Sequence, residues 1–219
     1  MSEIVGVDGC RAGWIAVCEQ GGELSVELWK DLAPLLHRSW NAACVDIPIG
    51  FPESGERRSC DIEARRILGP ARSSVFFAPP RHCIEATEYE QVRSLGMSIQ
   101  MFNILPKVRE MDRLITPQLQ RVVREAHPEL AFRTRSASAL DKKRTAAGRS
   151  RRCEILEQLG SPFRLDRWEG EFRRKEVALD DLLDAAALLE VARTSLSGEM
   201  RSVGGRERDS RGLKMEICY

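Results

Sequence analysis

Carboxylates stand where the core elements of this chain should begin or end. Asp8 follows Ile4, Val5 and Val7, a β-branched apolar run of the kind found in strands buried on both faces. A central strand therefore delivers a carboxylate to its end. Asp46 closes a second small apolar run, after which Pro48, Gly50 and Pro52 forbid further pairing. Asp184 stands in a Leu- and Ala-rich helix that must be largely buried. An unpaired charge there is expensive, and a cation would supply the missing partner. Asp180 and Asp181 occupy the first turn of that helix and share a face with Asp184. They also read simply as N-cap and macrodipole partner.

Two further groups could do chemistry. Glu125, His127 and Glu129 alternate along residues 119–129 and would share one side of an extended segment. His127 also reads as a hydrogen-bonded structural histidine. Lys142, Lys143, Arg144, Arg149, Arg151 and Arg152 follow one another with no acid between them. Such a stripe is either a solvated helix face or a surface for phosphates.

A sheet must position the acids. Gly9 and Gly13 allow a tight reversal and residues 14–18 run back, so the chain opens as a β-hairpin with an acid at its tip. Residues 24–29 alternate as a third strand with one wet face. Asp31 caps a short helix to about Arg38, with Leu32, Leu35 and Leu36 inward. The chain returns as a fourth strand over residues 42–47, and a right-handed crossover sets it parallel to the first, with Asp8 and Asp46 as neighbours.

Residues 51–117 break the strand pattern. A helix over 61–68 closes at Gly69 and Pro70, Thr87 and Glu90 form a capping box for a second, and Ser98 caps a third. In that third helix Met101, Ile104, Leu105, Val108, Met111 and Ile115 keep helical spacing and Pro106 should kink it. The segment is a helical insertion over the edge of the site, or an ordinary helical layer on the sheet. Residues 119–129 resume as a strand ended by Pro128, and the basic stripe leads into a helix with Ile155, Leu156 and Leu159 inward. Residues 195–212 read as a loose connection before a terminal strand at 213–219.

Composition bounds the function. The 219 residues suit one domain, or one domain with a large insertion, and can bury a substantial core. With Lys+Arg 34 against Asp+Glu 33, a nucleic-acid partner must be met by a local patch. The seven cysteines are scattered, with no C-x-x-C pair, which supports neither a disulfide framework nor a zinc site. No basic-then-apolar leader opens the chain and no apolar run would cross a bilayer, so the expectation is a soluble protein of a reducing cytosol with no membrane partner.

The ordered set G-V-D-G-C-R-x-G-W (6–14), D-I-P-I-G (46–50), R-x-C-D-x-x-A-R-x-x-L-G (58–69), P-K-V-R-E-M-D (106–112), E-x-H-P-E (125–129) and D-D-x-x-D-A (180–185) resembles the domain-of-unknown-function family DUF429, described as predicted RNase H-like nucleases. The resemblance covers nearly the whole chain. It implies an α/β, RNase H-like fold: a five-stranded mixed sheet, the first three strands antiparallel, the first, fourth and fifth parallel, with helices on both faces. In RuvC-type resolvases and ribonucleases H, acids from the first strand, the fourth strand and the last helix bind two divalent cations. Asp8, Asp46 and the pair Asp181 and Asp184 match those places here. Glu125, His127 and Glu129 would be a possible addition, a fifth-strand acid not being general in that superfamily.

The chemistry follows from such ligands. Carboxylates without Cys or paired His select hard ions, so Mg²⁺ or Mn²⁺ is expected over zinc. Two ions about 4 Å apart can activate a water and stabilise the leaving oxygen of a phosphodiester. The basic stripe, with Arg11 and Lys107, would hold the nucleic-acid backbone. The expectation is a metal-dependent nuclease. The alternatives are a small-molecule phosphate-ester hydrolase or phosphotransferase, and a non-catalytic binding module on the same fold.

Overall fold

The computed structural model describes residues 3–219. Along the chain run β1 (Glu3–Cys10), β2 (Gly13–Gln20), β3 (Glu23–Trp29), α1 (Pro34–His37), β4 (Ala42–Val45), α2 (Ser59–Leu68), α3 (Glu90–Arg93), α4 (Ile99–Leu114), β5 (Val123–Glu125), α5 (Pro128–Thr134), α6 (Ala146–Gln158), α7 (Leu165–Trp168), α8 (Leu179–Ser197), β6 (Ser202–Arg208) and β7 (Lys214–Cys218). The main sheet has five strands in the order β3-β2-β1-β4-β5. β1 is antiparallel to β2 and β2 to β3, whereas β4 lies parallel to both β1 and β5. The protein is thus an α/β fold with a five-stranded mixed sheet. β6 and β7 form a separate hairpin, tied to the main sheet by a parallel bridge between Ala126 and Cys218.

Strand alternation decides which helices cover which face. Val5, Val7, Trp14 and Ala16 pack with Leu32, Leu35 and the α4 residues Met101, Leu105 and Val108. Ile4, Ile15, Val17 and Cys44 face α8, with Phe132 of α5 and Ile155 and Leu156 of α6 behind it. The decisive contact is at Gly6. A Cβ there would stand 2.1 Å from the Leu189 nitrogen and 2.2 Å from the Ala185 carbonyl oxygen, so only glycine lets α8 lie directly on β1. Asp8 is two residues on, on that face, and Asp184 is adjacent to Ala185.

Several local expectations give way to tertiary contacts. The hairpin tip is Arg11 and Ala12, because Cys10 pairs with Gly13; Asp8 lies inside β1, opposite Ile15. Leu36 and Leu159 are exposed. The backbone N–H groups of Thr87 and Glu88 donate to Gln91 in place of a box with Glu90, and the helix there is only α3. Residues 119–129 contribute only the short strand β5, since Leu119–Arg121 is a 3₁₀ turn and Pro128 opens α5. The segment 195–212 contains strand β6. Pro106 lies inside α4 without ending it. The cysteines are all free, and among the described residues no helix is long and apolar enough to cross a membrane.

Candidate active site

The parallel pairing of β1 and β4 builds the site. Val7 is in register with Val45, and the Asp46 N–H donates to the Val7 carbonyl at 3.0 Å, so the residues that follow in each strand emerge side by side. Asp8, Asp46 and Asp181 line one cleft of about 250 Å³. Asp184 lies behind them, almost fully buried, and one of its carboxylate oxygens, Oδ1, has no hydrogen-bond partner.

The electrostatics follow from this crowding. Burial, then the charges of Asp184 and Asp46, raise the Asp8 pKa well above the usual carboxylate range. Burial raises Asp46 too, opposed by His127 and Lys143. Burial pushes Asp184 up to about 6 even though Lys143 pulls the other way. Asp181 is also raised by burial, against the hydrogen bond it accepts from the Ala178 N–H at 2.9 Å. Ala178 is the N-cap position of α8 and has no side-chain cap of its own; Asp181 supplies the one side-chain bond, to its N–H, so Asp180 is not the cap.

Lys143 has a different role from the one its place in a basic stripe suggests. Its Nζ lies 2.5 Å from Asp184 Oδ2 and 3.9 Å from Asp180. Desolvation alone would lower its pKa, but Asp184, Asp8 and Asp46 together raise it. Its ammonium is the cation that the buried Asp184 requires. The loop carrying it is drawn tight against α6, since a Cβ on Gly148 would stand 2.1 Å from the Lys142 carbonyl oxygen.

The other expected residues divide. Glu125 and His127 line the same cleft as Asp8 and Asp46, whereas Glu129 does not. Glu125 is buried in an ion pair with Arg58 at 2.8 Å. Burial lifts it to about 7 against the pull of Arg58. His127 caps α5 by accepting from the Leu130 N–H at 3.3 Å, and its Nε2 is 3.2 Å from the Ser74 carbonyl oxygen. Glu129 pairs with Arg152 at 2.6 Å. Arg152 is 1% exposed and also donates to the carbonyls of Asp141 and Gly148, so it is unavailable to phosphate. Arg151 pairs with Glu154 at 2.9 Å and lies outside the cavities beside the acids, as does the exposed Lys142. Arg11, Lys107, Arg144 and Arg149 line a second cavity, of about 610 Å³, together with Asp181.

Arg58 and Asp61 were visible only as part of the R-x-C-D motif. Both are buried; Arg58 bonds Asp61 at 2.5 Å and Glu125 at 2.8 Å, and donates to the carbonyls of Ile49 and Gly50. Glu125 in turn accepts from the Ile49 N–H at 2.6 Å. The loop that follows Asp46 is therefore pinned from both sides. The available signal was the i, i+3 spacing of an Arg and an Asp at a helix start.

A family model for proteins of unknown function, DUF429, matches residues 6–209. The chain belongs to the DUF429 family. Neither a curated protein nor a solved structure matches this DUF429 protein significantly.

Whether a hard cation fits the DUF429 site is tested by its own atoms. The donors are carboxylate oxygens, and Asp184 Oδ1 is a buried acceptor with no hydrogen-bond donor. Both features suit Mg²⁺ or Mn²⁺. Among the described residues, however, no three His, Cys, Asp or Glu side chains already stand in a metal-holding arrangement, and Lys143 occupies the Asp184 side. A divalent ion held by Asp184 would have to displace that ammonium. Lys143→Met should lower the metal-free melting temperature, because it leaves Asp184 uncompensated, and enlarge the rise caused by Mn²⁺. Thermal denaturation of both proteins with and without Mn²⁺ checks this; an unchanged Mn²⁺ response would show that ammonium and metal do not compete.

The pH dependence has a definite sign. Asp184 has a folded value of about 6 against an ordinary 3.8, so between these values the folded protein binds protons that the unfolded chain does not. Metal-free stability should rise as pH falls through about 6, and that gain should be complete below about 4. Stabilisation by Mn²⁺ should run the opposite way, full near neutral pH and fading over the same window, as protons take the oxygens. Melting curves across this range, with and without Mn²⁺, check both signs.

Proposed function

We propose that this DUF429 protein is an RNase H-like, divalent-metal-dependent nuclease hydrolysing phosphodiester bonds. The observation that carries the reading is the convergence of Asp8, Asp46 and Asp181 on one cleft, with the unsatisfied Asp184 behind it. The strand order and the position of α8 across β1 support the RNase H-like assignment, with the segment between β4 and β5 as a helical insertion forming the far wall. Asp8, Asp46 and Asp184 would hold Mg²⁺ or Mn²⁺, with Asp181 at the rim.

Ions bound there supply Lewis-acid activation of the attacking water and charge stabilisation of the leaving oxygen. The chain's own residues do the rest. Asp8 and Asp46 are fixed to neighbouring strands, so their spacing is set before substrate arrives. Their raised pKa values make the metal-free cleft a weak proton store. Lys143, which lines the cleft and pairs with Asp184, would offer its ammonium to a phosphate oxygen if a cation held Asp184 in its place. Lys107, whose pKa is lowered by burial, sits over the Trp14 ring at 4.4 Å and donates to the Gly13 carbonyl, which holds a positive charge on the opposite wall.

The test is cleavage of end-labelled single-stranded, duplex and branched DNA and RNA in Mn²⁺ over a salt series. At least one polynucleotide should be cut in a metal-dependent, salt-sensitive manner. Failure of every polynucleotide, alongside hydrolysis of small phosphate esters, would replace this reading with the small-molecule one.

A further inference from the structure

Beside its acids the cleft carries apolar side chains, which metal-dependent hydrolysis alone does not require. Pro48, Val75, Phe76, Met101 and Ile104 line it; Pro48, Phe76 and Ile104 remain partly exposed, and Val75 and Met101 are buried. The space is about 250 Å³, small beside the ~300–1,000 Å³ of ordinary ligand pockets. Gly9, Ile104, Lys107 and Asp181 line both this cleft and the cavity of about 610 Å³ that carries Arg11, Arg144, Arg149 and Arg174. One recess thus combines carboxylates and an aromatic side chain, and it adjoins a wider cavity in which Arg11, Lys107, Arg144, Arg149 and Arg174 outnumber the acids Glu169, Asp180 and Asp181.

We infer that the cleft takes a single unpaired nucleotide, its base against Phe76 and Ile104 and its phosphate over Asp8 and Asp46, with the adjoining backbone lying along the arginines. The inference rests on the phosphodiesterase reading and names its substrate class. In a duplex the bases are stacked and paired, so an aromatic wall beside the acids meets a base only after extrusion. An unpaired base reaches it at no such cost, and stacking on an aromatic ring tolerates any base. A free nucleotide offers the same base and phosphate without the backbone, and the basic cavity distinguishes the two sources. Arg144 and Arg174 are exposed and pair loosely with acids of the same cavity, Asp180 at 3.7 Å and Glu169 at 3.1 Å, so a backbone phosphate would take those carboxylates' place.

The experiment is fluorescence anisotropy of a labelled twelve-nucleotide thymidylate strand and of a blunt duplex of equal length, in Ca²⁺ in place of Mn²⁺, with thymidine 5′-monophosphate as competitor. The single strand should bind at least about tenfold more tightly than the duplex. Phe76→Ala and Ile104→Ala should each weaken it by about tenfold with duplex binding nearly unchanged, while Phe76→Leu and Ile104→Val, which keep most of the packing against the core, separate lost stacking from lost stability. Arg149→Glu should weaken the strand but not the mononucleotide. Competition by the mononucleotide at concentrations similar to the strand, untouched by Arg149→Glu, would keep the nucleotide pocket and assign it a free nucleotide. Equal binding of duplex and single strand, or indifference to both wall substitutions, would overturn the inference. The expected binding pattern without cleavage in Mn²⁺ would retain the pocket and sink the phosphodiesterase; cleavage of duplex in preference to single strand would do the reverse.

Discussion

Asp8→Asn should lower kcat for phosphodiester cleavage by on the order of a thousandfold, the upper range for losing one charge-stabilising group, and should raise the metal-free melting temperature. The two effects share one cause. The Asp8 charge is buried and faces Asp184 and Asp46, so in the metal-free protein it is a liability that the amide removes at nearly constant volume. A gain of about 1–2 kcal/mol corresponds to roughly 3–6 °C for a chain of this size. In Mn²⁺ the order should reverse, because the original protein gains from the ion and the variant has lost a ligand. Binding of a single-stranded substrate should persist, leaving KM close to its original value. Loss of activity accompanied by a lower metal-free melting temperature would make Asp8 a structural residue.

Arg58→Ala should be the most destabilising substitution considered, by about 3–5 kcal/mol. Arg58 is 1% exposed and Asp61 is fully buried. Removing the guanidinium leaves Asp61 and Glu125 facing each other without a cation, and strips a donor from the Ile49 and Gly50 carbonyls. The damage also reaches function, since the loop behind Asp46 loses its anchor. Because Glu125 already sits at about 7, protonation relieves part of the repulsion, and the variant should recover stability as pH falls below neutral. Urea denaturation at two pH values checks both statements. A loss under about 1 kcal/mol would place the network among dispensable surface pairs.

The sheet was legible because its signals are local. Ile4, Val5 and Val7 on β1, and Ala42 to Val45 on β4, are apolar runs that only a covered sheet explains. The acids were legible for the same reason, although Asp8 lies inside β1 and not at its end. Long-range partnerships were not. Lys143 sits in a run of cations that reads as one surface, yet its ammonium is drawn to Asp184, and Arg152 is drawn under α5 by Glu129. No periodicity distinguishes an arginine that faces solvent from one that a remote carboxylate pulls inward. Glu125, His127 and Glu129 were spaced as a strand, but Pro128 starts a helix after His127 and sends the three side chains to separate partners. β6 was hidden because Gly204 and Gly205 take positive φ within it, and a Cβ on Gly204 would stand 2.5 Å from Cys60 Cβ. Glycines that look like loop residues are there to let a hairpin approach α2.

The central claim is that Asp8, Asp46 and Asp184 form one cation-binding centre. The most direct measurement is the anomalous diffraction of a crystal soaked in Mn²⁺. The account predicts a peak in contact with the oxygens of these three residues, with the Lys143 ammonium moved off Asp184. A peak elsewhere, or none while Lys143 stays on Asp184 at saturating Mn²⁺, would contradict it.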